Sequence, residues 1–245
     1  MHLKHSTWPA IEAYLKRSTL IIIPVGSIEQ HGPTGLLGTD AICPEQIAAH
    51  AASDDILVAP TFSVGIAEHH MAFPGTITLR ASTMRAAMAD WMGSLYRHGF
   101  RHFIWFNGHG GNIDTLHAGA SDFTQSIECD PKKDDQAVCL IRNWWDYRSV
   151  KQFCSQAYPV GDGMHATASE ISVTRAAYPH LSTDQNLEPK IAPPFEPFRD
   201  AKDYRRKFPD GRVGSDPSLS NSADGAEIIR LSSAALSEEA ASLLA

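Results

Sequence analysis

The chain has 245 residues, a formal net charge of -7 and a hydrophobic content of 43%. This length fits one large domain with a sizeable core, and we expect residues 1–245 to form a single domain. The acidic balance, together with the lack of a basic cluster longer than residues 204–207, argues against a nucleic-acid partner.

The sequence carries no targeting or membrane signal. Residues 1–17 are charged and have no apolar core, so we do not expect them to be a signal peptide. No apolar run approaches the length of a membrane span, so we expect no membrane partner. The cysteines Cys43, Cys129, Cys139 and Cys154 form no CxxC pair and predict reduced thiols in a cytoplasmic protein.

In chain order, the apolar pattern predicts helices that alternate with strands. This alternation indicates an α/β fold, a single three-layer domain with a mainly parallel central sheet covered by helices on both faces. Residues 180–217 are rich in proline, and we expect an ordered, irregular arm there. The predicted helices cover residues 8–17, 44–52, 82–98, 113–127, 167–177 and 222–245, and the predicted strands cover residues 20–25, 56–60, 76–79, 102–106 and 137–141.

The segment after the first buried strand carries candidate metal ligands. Glu29, His31 and Asp40 follow the apolar run of residues 20–25, and nearby glycines allow turns tight enough to bring the three side chains together. A mixture of carboxylate oxygen and imidazole nitrogen suits zinc, manganese or iron better than calcium or magnesium. The alternative is a polar loop in which Glu29 and Asp40 cap helices.

Two other predicted strands are followed by candidate site residues. His109 follows the strand at residues 102–106, and Trp144 lies just beyond the strand at residues 137–141. Sites in parallel sheets form at the carboxyl ends of the strands. We therefore expect His109 and Trp144 on the same rim as Glu29.

Six motifs occur in an order that is typical of one family. They are PVGSIEQHGP (24–33), GTD (38–40), EHHMAFPGT (68–76), NGHGGN (107–112), HATASE (165–170) and GSDP (214–217). With these motifs the chain resembles the creatininase (creatinine amidohydrolase) family over nearly its whole length. The resemblance implies a creatininase-like fold, and it implies a homo-oligomer, since the family tends to form hexamers.

The resemblance also implies a dinuclear centre of zinc, manganese or iron. Glu29, His31, Asp40 and His109 match the family's ligands, with the aspartate bridging two metals. Creatininase proper has a ligand glutamate two residues after the matching histidine, where this chain has Gly111. Glu170 is the best replacement as a fifth ligand. Its alternative role is that of a first-turn glutamate that interacts with a helix dipole.

His165 and Glu170 are the candidate catalytic residues. They are five apart, which is about 140° around a helix, so His165 is expected in the loop before the helix. There it can serve as a general acid or base with a pKa near neutrality. The alternative is a structural histidine bonded to the backbone.

Candidate substrate-binding residues are His69, His70 and Trp144. One histidine of the pair is expected to line the pocket while the other packs. Trp144, with its neighbour Trp145, forms either a hydrophobic lid or part of the core. Asn107 and Asn112 flank His109 and are expected to hold it in place.

Together these residues predict a metal-dependent hydrolase of a non-peptide C–N bond in a small cyclic amide or formamide. A metal-activated hydroxide attacks the carbonyl, and His165 protonates the leaving nitrogen. Related family members suggest an alternative carbonyl substrate such as a keto-inositol. A different alternative is a non-catalytic protein that binds metal, or phosphate at the turn of residues 108–111. Residues 34–36 and Gly111 depart from the family pattern, which predicts poor hydrolysis of creatinine.

Overall fold

The computed structural model describes residues 1–128, 136–181 and 183–244, so Cys129 lies outside the described residues. Within these ranges the strands form one parallel sheet in the order β2-β1-β3-β4. The register places Ile21 beside Leu57 on one side and beside Phe103 on the other. The strands are β1 (Leu20–Val25), β2 (Leu57–Val58), β3 (His102–Asn107) and β4 (Val138–Asn143).

Helices cover both faces of this sheet, as the alternating pattern predicts. Short 3₁₀ turns occupy Leu3–His5, Glu68–His70, Gly110–Asn112, Trp144–Asp146, Pro179–Leu181 and Pro217–Leu219. The α-helices are α1 (Trp8–Tyr14), α2 (Thr39–Ala51), α3 (Ala81–Arg97), α4 (Ile113–Glu128), α5 (Arg148–Ala157), α6 (Ala168–Ala177), α7 (Ala201–Lys207) and α8 (Ser222–Ser242).

The core lies on both sides of the sheet because successive side chains of a strand point to opposite faces. Ile21 packs with side chains of α1, α3 and α4, and Ile22 packs with side chains of α2, α5, α6 and α8. All six residues of β1 are buried, as its continuous apolar run indicates. The predicted α/β fold with three layers is therefore confirmed. None of the described helices combines the length and apolar composition that a membrane span requires.

One predicted strand is absent, and two helices were not predicted. Residues 76–79 form no strand, and the segment contributes only an isolated antiparallel bridge between Ile77 and Ile28. Helices α5 and α7 were not predicted, and α7 lies inside the arm that was expected to be irregular. Its sequence is mostly charged, but Asp200 caps it by accepting a hydrogen bond from the backbone N–H of Asp203.

Helix α2 begins at Thr39, so Asp40 lies in its first turn. The alanine-rich pattern indicates a helix from Pro44, with a start just after Asp40 as the alternative, and the structure agrees with the earlier start. The backbone after β1 and β3 packs tightly against this turn. A Cβ atom at Gly26 would lie 2.3 Å from the Asp40 carbonyl oxygen, and one at Gly108 would lie 2.0 Å from it. Only glycine permits this approach.

The arm that follows α6 is held by a buried arginine. Arg212 is fully buried, and its guanidinium donates to Asp210 and to the carbonyl oxygens of Pro189, Lys190 and Ser215. A buried charge with this many acceptors is satisfied rather than costly. The arm is thereby fixed over the carboxyl edge of the sheet.

Candidate active site

Four predicted ligands meet at the carboxyl edge of the sheet. Glu29 and His31 lie in the loop after β1, Asp40 lies in the first turn of α2, and His109 directly follows β3. Their exposed fractions are 0%, 1%, 3% and 6% in that order. His31 Nε2 lies 2.9 Å from Asp40 Oδ1, and His109 Nδ1 lies 2.8 Å from Asp40 Oδ2. The ends of β1 and β3 and the start of α2 thus bring these side chains together around the Asp40 carboxylate.

The side chains form two triads that share this carboxylate. Glu29, Asp40 and His109 form one triad, and His31, Asp40 and Glu170 form the other. In each triad the candidate ligand atoms lie within 4.8 Å of one another. A carboxylate has two oxygens and can hold two cations close together. The two oxygens of Asp40 are thus available to both groups of candidate ligands.

Two buried oxygens in this cluster lack hydrogen-bond partners, namely Glu29 Oε1 and Asp40 Oδ2. Asp40 Oδ2 lies 2.8 Å from His109 Nδ1, and Glu29 Oε1 lies 3.2 Å from His70 Nε2. Buried polar atoms are rarely left without a partner. Buried carboxylate oxygens and histidine nitrogens at such short distances fit the ligands of a common cation.

Backbone carbonyls fix which nitrogen of each histidine faces the cluster. His31 donates through Nδ1 to the Glu29 carbonyl oxygen at 3.1 Å, and His109 donates through Nε2 to the Ile66 carbonyl oxygen at 2.9 Å. The other ring nitrogen of each residue is therefore left to face Asp40. Carbonyl partners orient metal-binding histidines in this way. The donor set and its orientation fit divalent cations.

The charges of the cluster are also compatible with bound cations. Burial alone lowers the pKa of His31 and of His109, but the nearby carboxylates outweigh burial and raise these pKa values to about 10 and about 9. Burial raises the pKa of Asp40, yet His31 and His109 hold it well below its usual range. In the metal-free protein, protons on the histidines take the place of the cations.

Glu170 serves two purposes that were considered as alternatives. Its Oε1 accepts a hydrogen bond from the Thr167 backbone N–H at 2.6 Å, which completes a capping box at the start of α6. The same oxygen lies 3.9 Å from His31 Nε2. Burial is the main cause that raises the pKa of Glu170 to about 7. The glutamate thus caps its helix and faces the cluster at once.

His165 lies in the bend before α6, and its tautomer follows from Gln30. The two amide hydrogens of Gln30 go to His70 Nδ1 and to the Gly211 carbonyl oxygen. His165 Nε2 therefore donates to the Gln30 carbonyl oxygen at 2.7 Å. The unprotonated Nδ1 is turned toward the cluster, 3.7 Å from Glu29 Oε1.

The expected pKa of His165 was wrong. Burial, reinforced by the neighbouring His31 and His70, lowers the pKa of His165 well below its ordinary value rather than leaving it near neutrality. The ring is consequently neutral at pH 7. The GSDP motif (214–217) helps to hold this residue, because Ser215 Oγ donates to the His165 carbonyl oxygen at 2.7 Å.

The two asparagines hold His109 from both sides. Asn107 Oδ1 accepts from the His109 backbone N–H, and Asn107 Nδ2 donates to the His109 carbonyl oxygen. Asn112 Nδ2 donates to the Gly26 carbonyl oxygen, and its Oδ1 accepts from the Ile66 N–H. Since Ile66 orients the His109 ring, Asn112 fixes that ring indirectly.

The histidine pair is split as expected, although both rings border the cleft. His70 is buried, and its Nε2 lies 3.2 Å from Glu29 Oε1. His69 is only half-buried and stacks parallel to His109, with ring centroids 6.1 Å apart and an interplanar angle of 8°. Glu68 is exposed and belongs to no group of candidate metal ligands found among the described residues.

Trp144 belongs to the core and also borders the cleft. It is 3% exposed and packs in the core with Ile104 and Phe106, and it also lines the cleft. Trp145 lies beside it with the two ring planes at 89°. The indole pair is therefore a fixed wall rather than a mobile cover.

The cleft has two lobes on either side of the cluster. The first lobe, of about 320 Å³, is bordered by both tryptophans and by the carboxylates of Asp40, Asp162 and Glu170. The second lobe, of about 190 Å³, lies on the side of Glu29. The two lobes share His109, Gly110, Met164 and His165.

The sequence did not indicate the side chains that the arm brings to the second lobe, which are Phe195, Phe198, Tyr204 and Val213. They lie in a proline-rich segment with no periodic pattern, so no local signal was available. Gln30 was missed for another reason: it lies inside the first motif, but its role depends on contacts with His70 and His165.

Comparison with known proteins gives concordant matches. The family model for creatininase, creatinine amidohydrolase, matches residues 4–240. Creatinine amidohydrolase of Pseudomonas putida is 28% identical over 206 residues, which cover 78% of each chain. The mycofactocin precursor peptide peptidase of Mycolicibacterium smegmatis is 31% identical over 109 residues, which cover 42% of this chain and 44% of that one.

The fold is also found among solved structures. The structure named Creatininase Mn has a TM-score of 0.81 at 23% identity, and the match covers 97% of this chain and 96% of that chain. At this identity the likeness shows a common fold. Since the family model spans nearly all of the sequence, the chain belongs to the creatininase family.

Proposed function

We propose that the chain is a metal-dependent amidohydrolase that cleaves a non-peptide C–N bond in a cyclic amide or formamide-like compound. The observation that carries the proposal is the pair of buried triads that share Asp40. Glu29 and His109 would hold one divalent metal, and His31 and Glu170 the other. The creatinine amidohydrolase relative and the manganese form of a creatininase structure support this choice of chemistry and metal.

Divalent metals in such a centre supply a nucleophile at neutral pH and polarise the carbonyl of the substrate. The residues of the chain provide the rest. His165 Nδ1, neutral and turned to the cluster, accepts a proton and returns it to the leaving nitrogen. The hydrogen bond from His165 Nε2 to Gln30 keeps this tautomer. Trp144 and Trp145 exclude water from one side of the scissile bond.

A phosphate-binding protein is a weaker alternative. A phosphate site at the turn of residues 108–111 would use backbone N–H groups and a positive helix end. It would have no use for three carboxylates beside the turn, since these repel an anion. Glu29, Asp40 and Glu170 therefore favour a cation centre over an anion site.

The test of the proposal compares chelated enzyme with enzyme reloaded with zinc or manganese. We expect hydrolysis of at least one member of a panel of formamides, cyclic amides and cyclic polyol ketones, and we expect chelation to abolish it. Creatinine should not be the best substrate. Residues 34–36 depart from the family pattern, and Gly35 lies against the carbonyl oxygen of His31, a proposed ligand. A displacement of about 1 Å at a catalytic group can cost roughly a hundredfold in rate.

Two outcomes of that comparison would contradict the proposal. Equal activity before and after chelation would contradict metal dependence. A value of kcat/KM for creatinine above those of all other panel members would contradict the predicted change of substrate. Circular dichroism of the chelated enzyme is the control, since it separates loss of metal from loss of fold.

Metal binding should release protons at neutral pH. The carboxylates outweigh burial and hold the pKa of His31 at about 10 and that of His109 at about 9, so at pH 7 both rings carry protons that the metal displaces. Affinity for zinc should therefore keep rising with pH until about pH 10, well above the ordinary pKa of histidine at about 6.5. A zinc titration in weak buffer at pH 7 should release about two protons per chain. A constant affinity between pH 7 and pH 9 would contradict this expectation.

A further inference from the structure

The second lobe of the cleft has walls of aromatic and apolar side chains. Phe195 and Phe198 come from the arm, Tyr204 comes from α7, and Val213 comes from the segment that pairs with His165. Tyr204 and Val213 are each 3% exposed, so these two walls are fixed by the core beneath them. The Tyr204 hydroxyl donates to the Gly211 carbonyl oxygen.

A row of parallel rings runs from the cluster into this lobe. His109 stacks on His69, and His69 in turn stacks on Phe198 with centroids 6.0 Å apart and an interplanar angle of 19°. Tyr204 meets Phe198 edge to face at 5.0 Å and 81°. Flat rings in such stacked and edge-on arrangements favour another flat ring as their partner.

The two lobes differ in charge. Three carboxylates border the first lobe, those of Asp40, Asp162 and Glu170. Among the described residues, no lysine, arginine or aspartate lines the second lobe, and its one carboxylate, Glu29, belongs to the cluster. An uncharged apolar group is therefore favoured in the second lobe. In the first lobe, Asp162 is the carboxylate that lies outside the proposed metal centre, and it favours a group with N–H donors.

The passage between the lobes is open because of Gly110. A Cβ atom at Gly110 would meet nothing within 4 Å, although the residue borders both lobes. The next residue, Gly111, has no room for any side chain, since a Cβ there would lie 2.4 Å from His109 Nε2. One molecule can therefore reach both lobes across the cluster.

The mouth of the second lobe leaves apolar surface uncovered. Phe195 is 50% exposed and Met164 is 70% exposed, and both border the lobe. Exposed apolar side chains around a concave site are typical of ligand-binding surfaces. A ligand ring that stacks on Phe198 would cover Phe195 and Met164 as well.

We infer that the second lobe is a recognition site for an aromatic ring, and that the substrate is an amide with an aromatic group on one side of the scissile bond and N–H donors on the other. The inference rests on the proposed function for the position of the scissile bond. The lobe itself, as a site for a flat apolar group, is independent of turnover.

Binding of two simple probes tests the lobe without any turnover. Benzamide and acetamide share the amide and differ in the ring, so their relative affinities for the purified protein report on the lobe. Titration followed by NMR or calorimetry should give about tenfold tighter binding of benzamide, or more, because the ring is removed from water. Equal affinities would overturn the inference.

Variants locate the effect. Phe195→Ala and Phe198→Ala should each reduce the advantage of benzamide, and Phe198→Leu, which keeps the apolar volume and the packing beneath it, should retain part of it. Trp8→Ala is the control, because Trp8 is an aromatic residue that is 77% exposed on α1. An advantage that survives Phe195→Ala and Phe198→Ala would overturn the inference. A Phe195→Ala variant that changes only the mass of the oligomer in size-exclusion chromatography, and leaves the advantage of benzamide unchanged, would overturn it as well.

The passage is tested with substrates of two sizes. Gly110→Leu should lower kcat/KM for an amide with a phenyl group more than for the matching amide with a methyl group, and Gly93→Leu is the control. Gly93 is another glycine whose Cβ would meet nothing within 4 Å, and it lies on α3. Equal loss for both amides would contradict the open passage. No turnover of any amide would refute the proposed function but leave the benzamide result standing.

Discussion

Replacement of Asp40 by alanine is expected to remove both metals and to lower kcat/KM by at least roughly a thousandfold. Asp40 is the one side chain common to the two triads, and each of its oxygens lies within 2.9 Å of a different histidine nitrogen. Without it, each site keeps only one histidine and one glutamate. Two ligands cannot hold a divalent ion that needs three or more protein ligands.

Elemental analysis of the purified variants is the measurement. His31→Ala should lose mainly one metal, because His31 belongs to only one triad. Asp203→Asn is the control, because Asp203 is a buried carboxylate that lies on α7 outside both triads. It should keep the metal content of the unchanged protein. Full metal content in Asp40→Ala would refute the shared centre.

The sequence predicts the cluster well because its members lie where local rules apply. Glu29 and His31 follow a buried strand, and His109 follows the neighbouring strand. The carboxyl ends of adjacent parallel strands lie at one edge, so these residues are brought together once the sheet forms. The order of the motifs adds Asp40 and Glu170, whose positions at helix starts are local features as well.

The remaining features of the cleft depend on distant contacts and have no local signal. Phe195 and Phe198 reach the second lobe only because Arg212 fixes the arm over the sheet edge. The low pKa of His165 likewise follows from burial and from two neighbouring histidines, which no spacing along the chain reveals. Ligands were predictable, whereas the shape of the pocket and the protonation of its base were not.

This division has a consequence for the choice of substrate. The parts that can be predicted from local sequence are the proposed metal ligands, which lie in the motifs that resemble the family. The aromatic and apolar wall of the second lobe comes from the arm and α7, where none of the motifs except residues 214–217 lies, whereas the rest of its lining comes from the motifs and Met164. The aromatic and apolar wall of the lobe therefore belongs to the segment whose structure depends most on tertiary contacts.

Gly111→Ala is expected to displace His109 and to remove one metal, although the substitution adds only a methyl group. A Cβ at position 111 would lie 2.4 Å from His109 Nε2 and 2.6 Å from the Ile66 carbonyl oxygen. These two atoms form the 2.9 Å hydrogen bond that orients the His109 ring. The methyl group would separate them, so the ring would lose both its partner and its direction toward Asp40.

Gly110→Ala provides the matched control, because its Cβ would meet nothing within 4 Å and the residue is the direct neighbour of Gly111. We expect Gly110→Ala to keep both metals and Gly111→Ala to bind one of them at least roughly tenfold more weakly, as changes in the partners of ligand histidines do. Competition with a chelator of known affinity measures the difference. The same reasoning applies to Gly111→Glu: the glutamate found in creatininase proper cannot be restored in this backbone, because its Cβ would already occupy the place of the His109 hydrogen bond. Equal zinc affinity in the Gly110 and Gly111 variants would show that the ring of His109 tolerates the methyl group and would contradict the prediction.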